Sequence, residues 1–435
     1  MIHTHQEALN WIHSRLQIGI KPGLLRMEWL MERMNHPERR LKTVHIGGTN
    51  GKGSTVTYMR SILQAAGYEI GTFTSPYIEQ FNERISINGI PITDDELTQL
   101  VNIIKPLAEE LEQTELGGPS EFEVITAMAF YYFADVHPVD IVLFEVGLGG
   151  RLDSTNVIHP LLSIITTIGM DHMRFLGNTL EEIAFEKAGI IKSGVPIISG
   201  VKQEEAQEVI VKRATDQKST VYQLGEQFHG EWQQSLSTGE VFHFHSELAN
   251  MKSLHTGLNG LHQTDNAALT VMATLYLKNV HSFLIEESHI REGLKAAYWP
   301  GRMEQVCHQP VILLDGAHNP EGMKALSNSL KARYPNSQIT ALFAGLKDKK
   351  LDEMISSLTE VADTVIFTTF DFPRAAGYEE VEPLLNEQTI WRADWKEYIK
   401  ECQKSTEAGR IFVVTGSLYF ISEVKKHFKY FNKFY

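Results

Sequence analysis

The sequence has very little cysteine and no surplus of positive charge. Cys307 and Cys402 are the two cysteines among 435 residues, too few for a disulfide framework or a zinc ribbon, and they fit a reducing compartment. Lys and Arg number 40 against 54 Asp and Glu, which gives a formal net charge of −14. Sequence-independent binding of nucleic acid requires clustered cations. We therefore expect no nucleic-acid partner, and any anionic ligand must be held by a local site.

Long apolar runs are missing too. The longest nearly unbroken run covers residues 124–134 and is well short of the roughly 20 residues that span a bilayer. Residues 1–10 contain His, Gln, Glu and Asn and lack the apolar segment of a signal peptide. We therefore predict a cytoplasmic protein without a membrane partner. At roughly 150 residues per domain, the chain length predicts two or three domains.

Short β-branched runs alternate with helical stretches along the chain. This alternation predicts an α/β fold with a mainly parallel sheet. Residues 201–255 are more polar, and we predict that they form a small antiparallel extension of the first domain, with 241–245 as an edge strand. Pro300 and Gly301 interrupt the pattern. We predict a first domain over 1–297, a hinge at 298–301 and a smaller domain over 302–435. The predicted strands are 41–46, 69–74, 141–146, 161–168, 195–199, 311–314, 339–343, 364–369 and 411–415, and the predicted helices are 54–66, 124–134, 182–188, 290–297, 320–331 and 417–428, with capping boxes at 120–123 and 179–182.

The segment 47–54, Gly-Gly-Thr-Asn-Gly-Lys-Gly-Ser, lies between a predicted strand and a predicted helix. Glycines allow backbone N–H groups to converge on phosphate oxygens, and a helix N-terminus adds positive potential. Lys52 supplies a mobile cation for the β- and γ-phosphates. The alternative is a tight strand–helix turn without a ligand. Gly53 separates Lys52 from Ser54, which departs from the usual phosphate loop and leaves a contact between Ser54 and Mg²⁺ open.

Acidic residues follow two of the predicted strands. Glu145 ends an otherwise apolar strand, and Asp171 and His172 follow another. Ligands of α/β sheets bind at the carboxyl ends of the strands, and a charge buried there requires a cation. The Mg²⁺ of a nucleotide would satisfy Glu145, and His172 would complete such a site. A structural ion pair and an ordinary loop histidine are the alternatives.

Two further features are ambiguous from their pattern. Lys187 lies in a predicted helix beside apolar residues. Burial would depress its pKa and make it reactive towards CO₂, but the pattern alone favours a side chain that extends along apolar surface to solvent. Asp315 and His318 again lie between a predicted strand and a predicted helix. There Asp315 would bind a ribose, base or metal, and His318 would bind a phosphate. The alternative is that Asp315 and Asn319 only cap the helix.

Ten ordered segments resemble folylpolyglutamate synthase/dihydrofolate synthase, a family of the Mur ligase superfamily of ATP-dependent amide-forming enzymes. The resemblance covers nearly the whole chain. The segments are 45–54 (HIGGTNGKGS), 74–77 (TSPY), 81–89 (FNERISING), 145–156 (EVGLGGRLDSTN), 171–172 (DH) with 176–177 (LG), 186–192 (EKAGIIK), 262–263 (HQ) with 266–268 (NAA), 299–302 (WPGR), 314–320 (LDGAHNP) and 415–419 (TGSLY).

The resemblance implies a P-loop ATPase domain, a smaller Rossmann-like C-terminal domain and an active site in the cleft between them. Lys187 matches a lysine that the family carbamylates. The implied catalytic residues are Lys52, Lys187 and His318, and the implied Mg²⁺ ligands are Ser75, Glu145 and His172. The implied ATP contacts are Gly48, Thr49, Asn50, Gly51, Lys52, Gly53, Ser54, Asn266, Arg302 and Asp315, and those of the pterin-bearing substrate are Tyr77, Phe81, Arg84 and Asp153.

The implied reaction adds L-glutamate to dihydropteroate or to the glutamate tail of a folate, through an acyl phosphate, and releases ADP and phosphate. We expect two kinds of cation as cofactors, Mg²⁺ and a monovalent cation such as K⁺. We also expect the protein to be a monomer. Tyr77 and Ser154 depart from the family pattern and leave the choice of acceptor open. The alternatives are folylpolyglutamate synthase activity alone, a cell-wall Mur ligase, a P-loop kinase or regulatory NTPase, and a non-catalytic nucleotide-binding module. Cell-wall enzymes usually carry a further N-terminal domain, for which a phosphate loop at residue 47 leaves little chain.

Overall fold

The structure is a computed structural model that describes residues 1–19, 21–404 and 409–432, with the side chains of 429–432 left out. The helices are α1 (His5–Ser14), α2 (Leu25–Arg33), α3 (Lys52–Ala65), α4 (Asp94–Glu112), α5 (Glu121–Tyr131), α6 (Met173–Leu176), α7 (Leu180–Ala188), α8 (Glu204–Asp216), α9 (His262–His281), α10 (Glu287–Ala296), α11 (Pro320–Arg333), α12 (Leu351–Thr359), α13 (Tyr378–Val381), α14 (Trp395–Gln403) and α15 (Leu418–Asn432). The strands are β1 (Thr43–Gly47), β2 (Ile70–Phe73), β3 (Ile85–Ile87), β4 (Ile90–Pro91), β5 (Ile141–Glu145), β6 (Leu162–Ile165), β7 (Ile197–Ser199), β8 (Val221–Gln223), β9 (Phe228–Ser235), β10 (Glu240–Ser246), β11 (Asn250–His255), β12 (Glu304–His308), β13 (Val311–Leu314), β14 (Gln338–Phe343), β15 (Thr364–Phe367), β16 (Thr389–Trp391) and β17 (Arg410–Thr415).

The largest sheet has the strand order β4-β3-β2-β5-β1-β6-β7-β8. The pairs from β2 to β8 are parallel, and β3 and β4 add an antiparallel edge. Every residue of β1, β2, β5 and β6 is buried, which explains their continuous apolar runs. Parallel strands end at a common edge, so the segments that follow β2, β5, β1 and β6 lie in that order along one side of the sheet.

A second sheet has the order β12-β13-β17-β14-β15-β16 and is parallel except for β12. By their contacts the residues form two compact units, Met1–Gly230 with His243–Leu254 and Asp265–Ala296, and Glu231–Phe242 with His255–Thr264 and Ala297–Tyr435. The predicted α/β fold, with a large mainly parallel sheet and a separate smaller α/β sheet, is confirmed. The domain bounds 1–297 and 302–435 and the hinge at 298–301 stay predictions.

Most of the predicted elements overlap elements of the structure, but residues 201–255 differ in detail. Residues 204–216 form α8, and β8 joins the large sheet in parallel with β7. Only β9, β10 and β11 make up the small sheet, in which short connections produce hairpins. The predicted edge strand at 241–245 is wrong, because β10 is the central strand. Within β10, Phe242 and Phe244 are buried whereas His243 and His245 are only partly buried, and a central strand with one covered face also shows this alternation.

One of the two predicted capping boxes is complete. At α5 the Ser120 side chain accepts a hydrogen bond from Glu123 N, and Glu123 Oε2 accepts one from Ser120 N at 2.7 Å. At α7 the Thr179 side chain accepts from Glu182 N, but the Glu182 carboxylate accepts from Asn178 N at 2.6 Å. The prediction of the second capping box is therefore wrong for one of its two bonds, the one from Thr179 N to the Glu182 carboxylate. Across the described ranges, no helix combines the length and the apolar character needed to cross a bilayer.

Candidate functional site

The loop between β1 and α3 has a backbone that only glycine adopts easily. Gly48 and Gly51 have φ angles of 141° and 89°. A Cβ atom on Gly48 would lie 1.9 Å from Thr166 Oγ1, and one on Gly51 would lie 2.4 Å from Asn266 Oδ1. Glycine is therefore required at both positions, because the φ angles are positive and because neighbouring side chains leave no space for a Cβ atom. Asn266, a predicted ATP contact, lies directly beside the loop.

The rest of this loop is fastened to the segment that follows β6. Thr49 N donates to Thr167 O at 2.8 Å, and Asn50 N donates to Thr167 Oγ1 at 2.9 Å. Gly169 N donates to Thr49 Oγ1 at 3.0 Å. Gly53 and Ser54 are buried in the first turn of α3. The loop is therefore held in one conformation at the N-terminus of a helix, as phosphate binding requires.

Two lysines converge on the carbonyl oxygen of Gly48. Lys52 Nζ donates to this oxygen at 3.0 Å, and Lys187 Nζ donates to it at 3.1 Å. Lys187 is 4% exposed, and burial, followed by the charge of Lys52, lowers its pKa to about 7. The interpretation favoured by pattern alone, a Lys187 side chain that reaches solvent, is therefore wrong. A buried amine with this pKa is largely neutral above pH 7 and is nucleophilic.

The predicted metal ligands lie along the same edge of the large sheet. Phe73 of β2 pairs with Phe144 of β5, so the segment after β2 begins beside Glu145. Ser75 N donates to Glu145 Oε2 at 3.4 Å, and the Glu145 side chain is buried. His172 follows β6 on the far side of the phosphate loop, is exposed, and has a left-handed φ of 52°.

Asp153, a predicted substrate contact, lies in a buried network with Thr155 and His45. Its carboxylate accepts from Leu148 N at 2.8 Å, from Thr155 N at 3.0 Å and from the Thr155 hydroxyl. The single hydroxyl hydrogen goes to the carboxylate, so the 2.8 Å contact between Thr155 Oγ1 and His45 Nε2 must be donated by His45. Burial lowers the pKa of His45 to about 3 and keeps the ring neutral. These bonds stabilise the 148–155 loop, and a substrate contact of Asp153 stays a prediction.

Three predicted substrate residues form one cluster in the first unit. The rings of Tyr77 and Phe81 lie 5.7 Å apart. The Arg84 guanidinium lies 5.4 Å from the Tyr77 ring centroid and 5.2 Å from that of Phe81. Arg84 also faces Glu121, with 3.7 Å between Nη2 and Oε1. The guanidinium thus contacts both rings, and such cation–π contacts orient the rings.

Arg302, Asp315 and His318 are neighbours in the second unit, at the end of β13. Asp315 accepts from Met303 N and from Ala317 N, each at 2.9 Å. Burial raises the pKa of Asp315, and the charge of Arg302 opposes this rise. His318 Nδ1 lies 2.8 Å from Gly316 O. A carbonyl only accepts, so Nδ1 carries the hydrogen in this contact.

Comparison with known proteins decides the family. Residues 46–274 match the model of the Mur ligase middle domain, and residues 301–418 match the model of the Mur ligase, glutamate ligase domain. The dihydrofolate synthase/folylpolyglutamate synthase of Bacillus subtilis (strain 168) is 48% identical over 430 residues, which cover 99% of this chain and 100% of that protein. The chain belongs to this family of Mur ligases.

Solved structures agree with this assignment. The folylpolyglutamate synthase (FPGS) of Mycobacterium tuberculosis complexed with ADP matches with a TM-score of 0.89 at 29% identity, over 98% of this chain and 99% of that one. An FPGS–AMPPCP–folate complex matches with a TM-score of 0.83 at 30% identity, over 98% and 99%. The predicted family and the predicted reaction class, an ATP-dependent ligase that adds glutamate to folates, are confirmed.

The donor set of this Mur ligase fits a magnesium ion that arrives with nucleotide phosphates. Within the described part of the chain, no group of three or more His, Cys, Asp and Glu side chains could hold a metal. The predicted ligands are one hydroxyl, one carboxylate and one imidazole, from Ser75, Glu145 and His172. Mg²⁺ in nucleotide sites typically takes one or two protein carboxylates and completes its shell with phosphate oxygens and water. The metal ligands and the monovalent cation stay predictions.

Sequence reasoning missed two groups in this ligase. Thr166 and Thr167 hold the phosphate loop, and only their position after a strand could have indicated this. His45 lies in the segment of the phosphate loop, and the sequence alone assigns no role to it. Its neighbour in the network, Thr155, is 110 residues away along the chain, a distance that a single sequence does not bridge.

Proposed function

We propose that this ligase joins the amino group of L-glutamate either to dihydropteroate or to the glutamate tail of a reduced folate, with ATP as the energy source. The observation that carries this proposal is the convergence of Lys52 and Lys187 on Gly48 O in the phosphate loop. Two amines beside the same carbonyl of the phosphate loop support a role in handling the γ-phosphoryl group. The resemblance to enzymes named for both activities supports both acceptors.

In the first step, a carboxylate oxygen of the acceptor attacks the γ-phosphoryl group in line. The bond from the γ-phosphorus to the bridging oxygen breaks, and ADP leaves with that oxygen. Lys52 and the loop amides neutralise the charge that spreads over the phosphoryl oxygens. The product is an acyl phosphate, in which phosphate is a far better leaving group than oxide.

In the second step, the neutral amine of L-glutamate attacks the acyl carbon. Phosphate leaves from that carbon, and the nitrogen loses a proton to a base. His318 and a carbamate on Lys187 are the two candidates for this base. We assign Arg302 and Asp315 to ATP, and we assign His318 to the incoming glutamate as well.

Lys187 is suited to carbamate formation. Its neutral amine attacks CO₂, a C–N bond forms, and one proton leaves to solvent. The carbamate would turn a buried cation into an anion beside the phosphate loop. Mg²⁺, held by Ser75, Glu145 and His172, would supply electrostatic stabilisation of phosphoryl oxygens when bound.

The decisive experiment measures ADP formation with L-glutamate and with dihydropteroate, a tetrahydrofolate or neither acceptor. We expect ADP only when glutamate and an acceptor are both present, with a product heavier by one glutamyl residue in mass spectrometry. Activity with the folate alone would support the narrower FPGS alternative. A phosphorylated product, or ADP formed equally without glutamate, would contradict the proposal and favour a kinase or NTPase.

The cluster of Tyr77, Phe81 and Arg84 gives a test of acceptor binding. We expect Arg84→Ala to raise KM for the folate acceptor by about tenfold, because the two rings lose the cation that orients them. KM for ATP should stay within about twofold. A matched control is Arg33→Ala, which removes a guanidinium 4.8 Å from the Trp29 ring and paired with Glu110. Equal rises in both KM values for Arg84→Ala would argue against a role in the acceptor site.

A monomer in the cytoplasm also remains our proposal. It rests on the sequence alone. Sedimentation of the purified chain tests the monomer.

A further inference from the structure

The short turn that carries Arg302 is held between two carboxylates, the buried Asp315 and the largely buried Glu304. Glu304 Oε2 accepts from Gly301 N at 2.8 Å, and Asp315 Oδ2 accepts from Met303 N at 2.9 Å. Gly301 and Met303 have left-handed φ angles of 67° and 42°. The left-handed region is strained for methionine, so the flanking bonds must stabilise this conformation.

The carbonyl groups on both sides of Arg302 are also bonded. Gly316 N donates to Gly301 O at 2.8 Å, and Asn259 Nδ2 donates to Met303 O at 3.0 Å. Arg302 Nη1 donates to Gly301 O at 3.1 Å and lies 2.5 Å from where a Cβ atom on Gly316 would stand. The guanidinium is therefore fixed beside the segment after β13, at the edge of the second sheet where α/β folds bind ligands.

Glu304 is itself held by two partners in the same unit. Its Oε1 accepts from Lys425 Nζ at 2.7 Å and from the Tyr298 hydroxyl at 2.5 Å. Lys425 Nζ lies 3.2 Å from the Tyr298 hydroxyl oxygen. The side chains of Lys425 and Glu304 are 7% and 10% exposed. Burial by itself would lower the pKa of Lys425, but the hydrogen bond to Glu304 outweighs burial and raises this pKa. Lys425 therefore stays a cation.

A buried ion pair of this kind is weak evidence for stability. Desolvation of the two charges offsets most of their attraction, and apolar replacements are often neutral or stabilising. A charged acceptor nevertheless forms a shorter and stronger bond to a backbone N–H than a neutral one does. The pair therefore serves to hold Gly301 N, which lies one residue before Arg302.

We propose that Glu304, compensated by Lys425, is a positioning residue that fixes the Gly301–Met303 turn and so pre-organises the Arg302 guanidinium for a nucleotide phosphate. This proposal rests on the assignment of Arg302 to ATP under the proposed function. In this proposal Glu304 acts on the nucleotide only through Arg302.

The test is a double-mutant cycle on ATP affinity, measured by calorimetry with the full chain. Glu304→Gln and Arg302→Ala should each weaken ATP binding by about tenfold. In the Arg302→Ala background, Glu304→Gln should add less than about twofold, because the group it positions is absent. A purely structural role would leave the two effects independent and would overturn the proposal.

Three further variants keep the test decisive if Glu304→Gln folds poorly. Lys425→Met should weaken ATP binding as Glu304→Gln does, and Lys425→Arg should restore most of the affinity. Tyr298→Phe removes one hydroxyl from a ring that is 57% exposed and should weaken binding by about twofold. Glu360→Gln is the matched control, since Glu360 pairs with Lys331 on an exposed surface of the same unit.

The measured affinity for ATP does not depend on whether the protein catalyses the ligation of glutamate. ATP affinity that is unchanged in Arg302→Ala, or in both Glu304→Gln and Lys425→Met, would overturn the inference. Absence of glutamate-dependent ADP formation by the unmodified protein would instead overturn the proposed function, and the binding cycle would still decide whether Glu304 positions Arg302.

Discussion

A Lys52→Met variant is expected to lose glutamate-dependent ADP formation, with kcat lower by roughly 10²- to 10³-fold. Lys52 Nζ bonds to Gly48 O and to Thr49 O, so its cation already lies within the phosphate loop. Methionine has a similar length and volume but no charge. The substitution therefore removes the cation that stabilises the transferring phosphoryl group, together with its two bonds to loop carbonyls, and keeps the volume of the side chain.

Lys105→Met is the matched control for this prediction. Lys105 lies on the exposed surface of α4, where it pairs with Glu109. Its loss should change stability by about 0.5 kcal/mol or less and leave kcat unchanged. The thermal midpoint of both variants should stay close to that of the parent protein. Retention of more than about a tenth of kcat by folded Lys52→Met would exclude phosphoryl stabilisation by this lysine.

Much of the fold follows from local signals in the sequence. The strands β1, β5 and β6 are continuous apolar runs because both faces of a parallel sheet are covered. Gly51 and Lys52 mark the start of α3 through the left-handed φ of the glycine. The helix α4 is not among the predicted helices, although the sequence contains the signal for it, since Thr93 and Glu96 form a complete capping box at its start.

Other features depend on contacts that local patterns do not contain. Apolar and polar residues alternate over 241–245 as they would in an edge strand. The strand is nevertheless central, because it pairs with β9 on one side and with β11 on the other. At α7, the Glu182 carboxylate had two nearby amide donors, and it bonds to Asn178 N instead of Thr179 N. Local spacing permits both bonds, so tertiary packing decides between them.

The site was predictable as a set of strand ends, but not as an arrangement of atoms. The phosphate loop, Glu145 and His172 follow neighbouring parallel strands, and this order could be inferred from βαβ topology. The bond from Lys187 to Gly48 O joins residues 139 apart. The burial of Lys187 is a tertiary property, which is why its helical pattern favoured the wrong side-chain direction.

A Lys187→Met variant is expected to become more stable than the parent protein near pH 7 while it loses activity. Burial lowers the pKa of Lys187 from 10.5 to about 7. Between these two pH values the unfolded chain binds more protons at this site than the folded chain, so the free energy of unfolding rises with pH. Below about pH 7 the folded protein must bury a charged amine. Methionine removes that charge and should stabilise the fold by about 2–4 kcal/mol near pH 7.

The measurement compares urea unfolding of the two proteins in buffer free of CO₂ at about pH 6.5 and about pH 9.5. The stability advantage of Lys187→Met should shrink as pH rises, because the native amine is then neutral and the unfolded lysine approaches its own pKa. An advantage that is equal at both pH values would contradict a depressed pKa.

The activity of the same variant tests whether the buried amine is needed for the reaction. We expect kcat to fall by roughly 10³-fold, and added bicarbonate should raise the activity of the parent protein but not that of Lys187→Met. Full activity of Lys187→Met without CO₂ would exclude the carbamate. A substitution that stabilises the fold and abolishes turnover identifies a residue retained for chemistry, since packing alone would favour the apolar side chain. We expect this outcome for Lys187 and not for Lys52, because the Lys187 amine is the more deeply buried of the two beside Gly48 O.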